Sequence, residues 1–264
     1  MTSTDHQKNF IIVGAMKCGT TALYRYLRSV IGDDLSEAKE LHYFDWNFRQ
    51  ELNWYFNQLG NGHIVGEASP FYLYHPWVPE RIRKTLPDSR LIILLRCPVA
   101  RAISHYFHSK LLKHETQTII DAFGFERTRL AGFDKKEDFD CLGGLGPQVW
   151  YSYTSRGRYA EQLERYLDRF PSENIMIIES ELLFSNPLSV LPKVHEFLEL
   201  DQKCREEFFF PMNLGVGDKS LVPRNLTLEL FELFEPEIQK LQDLLNREFS
   251  WQKNRELRSD LHSR

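Results

Sequence analysis

Three groups of residues in this 264-residue chain combine types and spacings that can handle anions and protons. The first is Gly14-Ala15-Met16-Lys17-Cys18-Gly19-Thr20-Thr21. Glycines let a backbone turn tightly and bring N–H groups against an anion. A helix opening at Thr20 adds free N–H groups and the positive end of its dipole. Lys17 adds a full charge, and Thr20 and Thr21 add hydroxyls that can also cap the helix. The second group is Arg96 followed by Ser104, a guanidinium fork and a hydroxyl suited to a phosphate monoester. The third is Glu40 with His42, inside Glu37-Ala38-Lys39-Glu40-Leu41-His42-Tyr43-Phe44-Asp45. A carboxylate near an attacking hydroxyl can take its proton, more readily if burial raises the carboxyl pKa. In an extended stretch Glu40 and His42 would face the same side, which makes His42 the second candidate base.

The elements that must position these groups follow from apolar periodicity. Phe10–Val13 is a short β-branched run closed by Gly14, a buried strand. Thr20–Val30 has helical spacing through Ala22, Leu23, Tyr26, Leu27 and Val30. Further strands are expected at Ile64–Gly66, Arg90–Leu95 and Ile175–Ile178. Helices are expected at Pro79–Leu86, Val99–Leu112, Tyr159–Phe170, Leu188–Leu198 and Leu226–Phe249, the last with a candidate break at Pro236. Residues 113–150 read as an irregular or short-helical excursion. Strands alternating with helices predict an α/β fold, a P-loop-like parallel sheet flanked by helices on both faces, spanning 1–264 as one domain. All three groups then fall at the carboxyl ends of strands, where such sheets bind ligands.

A net charge of −4 gives no basis for bulk nucleic-acid or anionic-membrane binding, so any anion site must be local. Met1–Asn9 has no apolar core for a signal peptide, and the apolar run Leu91–Leu95 is too short to span a bilayer. Cys18, Cys97, Cys141 and Cys204 are scattered, with no zinc spacing, and a reducing cytoplasmic location is the simplest expectation. His105 and His108 stand one helical turn apart but lack carboxylate partners for a metal. Arg101, on the same helix, is expected to pair with a carboxylate at the surface. Oligomeric state is not readable.

The glycine loop departs from the kinase P-loop, in which the lysine follows the second glycine. Here Lys17 precedes Gly19. With its strand and helix the loop resembles the sulfotransferase superfamily, whose K-x-G-T-[ST] loop holds the 5′-phosphosulfate of 3′-phosphoadenosine 5′-phosphosulfate (PAPS). Leu95-Arg96-Cys97-Pro98 through Arg101, Ser104 and Tyr106 resembles the family's L-R-x-P-x-x-R-x-x-S-x-Y motif for the 3′-phosphate. Lys39-Glu40 through Phe44 is similar to a segment of bacterial and heparan sulfate-type sulfotransferases, in which the glutamate is the general base.

The resemblance spans about residues 8–251. It implies a metal-independent sulfuryl transfer from PAPS to a hydroxyl or amine, in a carbohydrate or small metabolite. Lys17, Cys18, Gly19, Thr20, Thr21, Arg96 and Ser104 would hold the donor, joined by Lys219 and Ser220 from a late loop that lacks the family's usual glycine and arginine. Arg224 is a candidate replacement for that arginine. Catalysis would fall to Lys17, Glu40 and His42. The segment Gly66-Glu67-Ala68-Ser69-Pro70-Phe71-Tyr72 resembles a stretch lining the acceptor cleft, which makes Glu67, Ser69 and Tyr72 acceptor contacts beside Glu40 and His42. Arg156 and Tyr159 match a bacterial R-G-x-Y stretch and are candidate pocket residues. Two rivals stand beside this reading: a P-loop nucleotide kinase, disfavoured by the position of Lys17, and a nucleotide-binding module of the same fold without catalysis.

Overall fold

The computed structural model describes residues 8–32, 35–60, 62–133, 135–140, 144–210 and 218–253. In chain order the elements are β1 (Lys8–Gly14), α1 (Thr20–Ile31), α2 (Leu52–Leu59), β2 (Ile64–Glu67), α3 (Val78–Thr85), β3 (Arg90–Leu95) and α4 (Pro98–Leu111). They continue with α5 (Ile119–Leu130), α6 (Lys136–Asp140), α7 (Pro147–Trp150), α8 (Tyr159–Leu167), β4 (Ile175–Glu179) and α9 (Ser180–Ser185). The last are α10 (Leu191–Leu198), α11 (Arg224–Leu245) and α12 (Ser250–Lys253).

The four strands form one parallel sheet in the order β2-β1-β3-β4. Ile11, Ile12 and Val13 are wholly buried, as are Leu91 to Leu95. Successive strand side chains point to opposite faces, so both faces of the sheet are covered, as a parallel sheet requires. The register sets the carboxyl ends of β1, β3 and β4 side by side, with Ile12 opposite Ile92 and Leu95 opposite Glu179. The α/β architecture expected from periodicity is therefore present.

Residues 113–150 are more regular than expected, because they contain the twelve-residue α5. Its sequence carries little apolar periodicity. Thr118 caps it, its hydroxyl oxygen accepting from the Asp121 N–H at 3.3 Å. That Thr-x-x-Asp spacing was a readable start signal. A second difference lies in α11, which runs through Pro236 without a break. Leu226, Leu230, Phe234, Ile238 and Leu241 are buried along one side of it, and this packing outweighs the backbone bond that a proline removes.

Glu126 of α5 ties this region to the site. It is buried and accepts from the N–H and hydroxyl of Thr154, at 2.7 and 2.9 Å, and of Ser155, at 2.8 and 2.7 Å. These bonds hold the short turn Ser155–Gly157, which carries Arg156. Glu126→Ala leaves four donors without their acceptor and should cost about 3 kcal/mol in a denaturant melt. Glu126→Gln should recover part of that loss.

Candidate active site

Strand order reverses at β1, with β2 on one side and β3 on the other. Loops leaving adjacent strand ends in opposite directions open a crevice there. A cavity of about 790 Å³ occupies that place, and Lys17, Gly19, Thr20, Thr21, Glu40, His42, Arg96 and Ser104 all reach its wall. The three groups singled out in the sequence thus meet in one space.

The β1–α1 loop is shaped by close packing. Gly19 has φ 91°, and a Cβ there would stand 2.9 Å from the Phe184 ring, so only glycine fits. Lys17 also adopts a left-handed backbone, at φ 71°, which is costly for a side-chain-bearing residue and clusters at functional positions. Its carbonyl accepts from Arg96 Nη1 at 3.3 Å, joining the two loops. Burial, reinforced by Arg96, lowers the Lys17 pKa. Among the described residues neither Lys17 nor Arg96 forms an ion pair with a carboxylate. Thr20 and Thr21 do not cap α1, since the cap position is Gly19 and no side chain bonds it. The first-turn N–H groups are left to the cavity. Cys18 is off the wall, wholly buried, with its thiol pushed up to about 12 by burial.

The Glu40 segment is not extended, because His42 sits at φ 51°. The two side chains still meet. Nε2–H of His42 donates to Glu40 at 3.3 Å, and Nδ1–H donates to the buried Asp45 at 2.8 Å. The ring stacks on Trp46 with centroids 3.6 Å apart. Burial opposes the imidazolium, but Asp45 and Glu40 outweigh it and lift the His42 pKa to about 9. Burial likewise opposes the Glu40 charge, and His42 and Lys39 overturn it, holding the carboxyl at about 2. The expectation that burial raises this carboxyl is thereby corrected: two cations are close enough to win. Asp45 was missed in the sequence, although its position three residues after His42 suits a turn.

Glu67, Ser69 and Tyr72, expected to contact an acceptor, lie behind the wall and are wholly buried. Glu67 accepts from Ser69 Oγ at 2.6 Å, Tyr72 OH at 2.9 Å and the Leu41 N–H at 3.2 Å. Burial raises its pKa to about 7. Ser69 Oγ in turn accepts from the His42 N–H at 3.0 Å, and Tyr72 OH from the Phe44 N–H at 3.1 Å. These residues support Glu40 and His42 from beneath and are not exposed to a ligand.

Arg101 is fully buried, not at the surface, and donates to the Tyr153 carbonyl. Arg156 does reach the cavity, stacked 4.8 Å from the Phe71 ring centre, whereas Tyr159 is buried and donates to the Arg96 carbonyl at 3.0 Å. His105 turns away, its Nε2 at 3.1 Å from the Val149 carbonyl oxygen. Ser220 is exposed and bonds Asp218 instead of facing the cavity, and Arg224 is exposed at the start of α11. The Lys219 side chain and residues 211–217, with Gly215 and Gly217, lie outside the described residues.

Residues 7–210 match the sulfotransferase domain family. The chain belongs to that family. Its fold agrees with a sulfotransferase from Alicyclobacillus acidocaldarius, with a TM-score of 0.72 and 29% identity over 94% of this chain and 99% of that one. A curated relative of this sulfotransferase-family chain is the membrane-associated sulfotransferase kil1 of Dictyostelium discoideum, 29% identical over 92% of the chain. Another is human heparan sulfate glucosamine 3-O-sulfotransferase 6, 28% identical over 91% of the chain and 72% of the relative. The chain spans 66% of the length of the slime-mould protein and 48% of human heparan sulfate glucosamine 3-O-sulfotransferase 3B1. Among the described residues of this sulfotransferase-family chain, no helix is long and apolar enough to cross a membrane.

The Asp45–His42–Glu40 arrangement makes a testable statement. The His42 imidazole should titrate near 9 by NMR. A raised histidine pKa contributes stability in full below the unfolded value and loses it as pH rises through the folded one. Stability should therefore fall as pH climbs from about 7 through 9. In Asp45→Asn the His42 titration should move down by about one unit or more.

Proposed function

We propose that this protein transfers a sulfuryl group from PAPS to a hydroxyl of a carbohydrate acceptor, without a metal. One observation carries the donor half. Two cations, Lys17 and Arg96, face one cavity without a carboxylate partner among the described residues, beside the open N-terminus of α1. Such a wall favours a ligand bearing several negative charges. In this reading the Lys17 loop, with Gly19, Thr20 and Thr21, takes the 5′-phosphosulfate. Arg96 and Ser104 take the 3′-phosphate.

The acceptor half rests on Glu40. It stands as a carboxylate at every working pH, and His42, anchored by Asp45, fixes its direction. As the acceptor oxygen bonds to sulfur its proton becomes strongly acidic, so even a weakly basic carboxylate takes it. The bond from sulfur to the bridging oxygen breaks, and Lys17 with the loop N–H groups meets the charge on the leaving phosphate. The names of the heparan sulfate relatives and the Trp46 ring on the cavity wall support a sugar as acceptor. A nucleotide kinase would need a differently placed lysine.

Isothermal titration calorimetry with the desulfated product PAP should show binding that Arg96→Ala weakens by tenfold or more, roughly one lost charge-assisted contact. Transfer of radiolabelled sulfate from PAPS should be screened over sugars, phenols, lipids and hydroxy-acyl compounds. With the acceptor so found, Lys17→Ala and Glu40→Gln should each lower turnover by about 10² or more. Near-normal turnover of Glu40→Gln would move the proton to another group.

A further inference from the structure

His108, Arg156 and Glu181 are ionisable side chains on the cavity wall with no part in the transfer set out above. His108 lies on α4 one turn beyond Ser104, and both reach the cavity. Four helical residues advance about 6 Å, roughly the span of a ribose between its 3′ and 5′ substituents. Ser104 and His108 therefore present one stripe of α4 to the cavity, long enough to serve both ends of a bound nucleotide's ribose.

The charged and titratable groups acting on the His108 ring come from every element around it. They include Lys17 of the β1–α1 loop, Glu40, Arg156 of the short turn, His114 just beyond α4, and His105 three residues earlier on α4 itself. His108 thus shares one cavity wall with Lys17, on the side assigned to the leaving group, and with Glu40, on the side assigned to the attacking one. Unlike His105, which faces the Val149 carbonyl, and His114, which stacks on Trp150, the His108 ring has no hydrogen-bond partner among the described residues.

We propose that His108 donates a hydrogen bond to the sulfuryl oxygens of the bound donor and is a catalytic residue of the transfer; this rests on the donor site proposed above. Burial and the charge of Lys17 hold the free imidazole down to about 4, so the ring is neutral in the empty cavity near pH 7. An anionic sulfuryl group placed between the ring and Lys17 offsets both effects and favours the cation. His108 then takes a proton from solvent and presents a second positive donor to the group in flight. The covalent balance is unchanged. Sulfur bonds to the acceptor oxygen, its bond to the bridging oxygen breaks, the acceptor proton goes to Glu40, and His108 keeps its own.

The test compares PAPS with PAP, which lacks the sulfuryl group. Each is titrated calorimetrically near pH 7 into wild type, His108→Gln and His108→Ala, in two buffers of different ionisation enthalpy. Wild type should take up more protons with PAPS than either variant does. Both variants should bind PAPS about tenfold more weakly, equivalent to about 1.4 kcal/mol, with PAP affinity unchanged. Equal losses for PAP and PAPS would overturn the proposal by making His108 a general donor contact. Unchanged PAPS binding with only a raised acceptor KM would overturn it by making His108 an acceptor contact. Binding of neither nucleotide by wild type would remove the donor site, and this role with it.

Discussion

The arrangement of the acceptor side depends on one buried carboxyl. Glu67 ends β2, so it is fixed to the sheet, and it accepts from Ser69, Tyr72 and the Leu41 backbone at once. Ser69 and Tyr72 then pass their own bonds to the His42 and Phe44 N–H groups. Lys39 adds a backbone bond to Ala68. The loop bearing Glu40 and His42 has no regular secondary structure, yet its position is set by the sheet through this network. A cleft glutamate and a structural glutamate look alike in a sequence. Burial and bonding separate them.

The cavity divides electrostatically. Toward the donor, Lys17, Arg96 and helix N–H groups stand without carboxylate partners among the described residues, a state tolerable only where an anion visits. Toward the acceptor, every charge is answered: His42 by Asp45 and Glu40, Glu40 by His42 and Lys39. The first half is built to attract and the second to stay in place. That contrast explains why Glu40 is held as a carboxylate despite burial. It also explains why His42, taken alone as a candidate base, is better described as the clamp between two acids.

Much of this was legible in the chain. Phe10–Gly14, Arg90–Leu95 and Ile175–Ile178 are apolar runs too short for helices, and a parallel sheet buried on both faces demands such runs. Lys17, Gly19, Arg96 and Ser104 were singled out because anion chemistry restricts which residue types can stand at a strand end, and all four reach one cavity wall. What escaped did so for physical reasons. The helix Ile119–Leu130 buries few apolar residues and leans on a cap and on Glu126. Arg101 was placed at the surface because arginine is rarely buried without a carboxylate, and here the Tyr153 carbonyl receives it. Asp45 and Glu67 act through a left-handed turn at His42 that no glycine marks, its one local signal being the spacing from His42 to Asp45.

Cys18 sits inside the very loop proposed to grip the donor, where a reactive thiol would be a tempting handle. Its sulfur is sealed in the core beside Tyr159, and burial keeps it from ionising at any physiological pH. The thiolate is the species that alkylating and oxidising reagents attack. Cys18 is therefore deaf to electrophiles and peroxides, and a covalent inhibitor for this cavity would have to be anchored on some other side chain, such as the Lys17 amine on its wall.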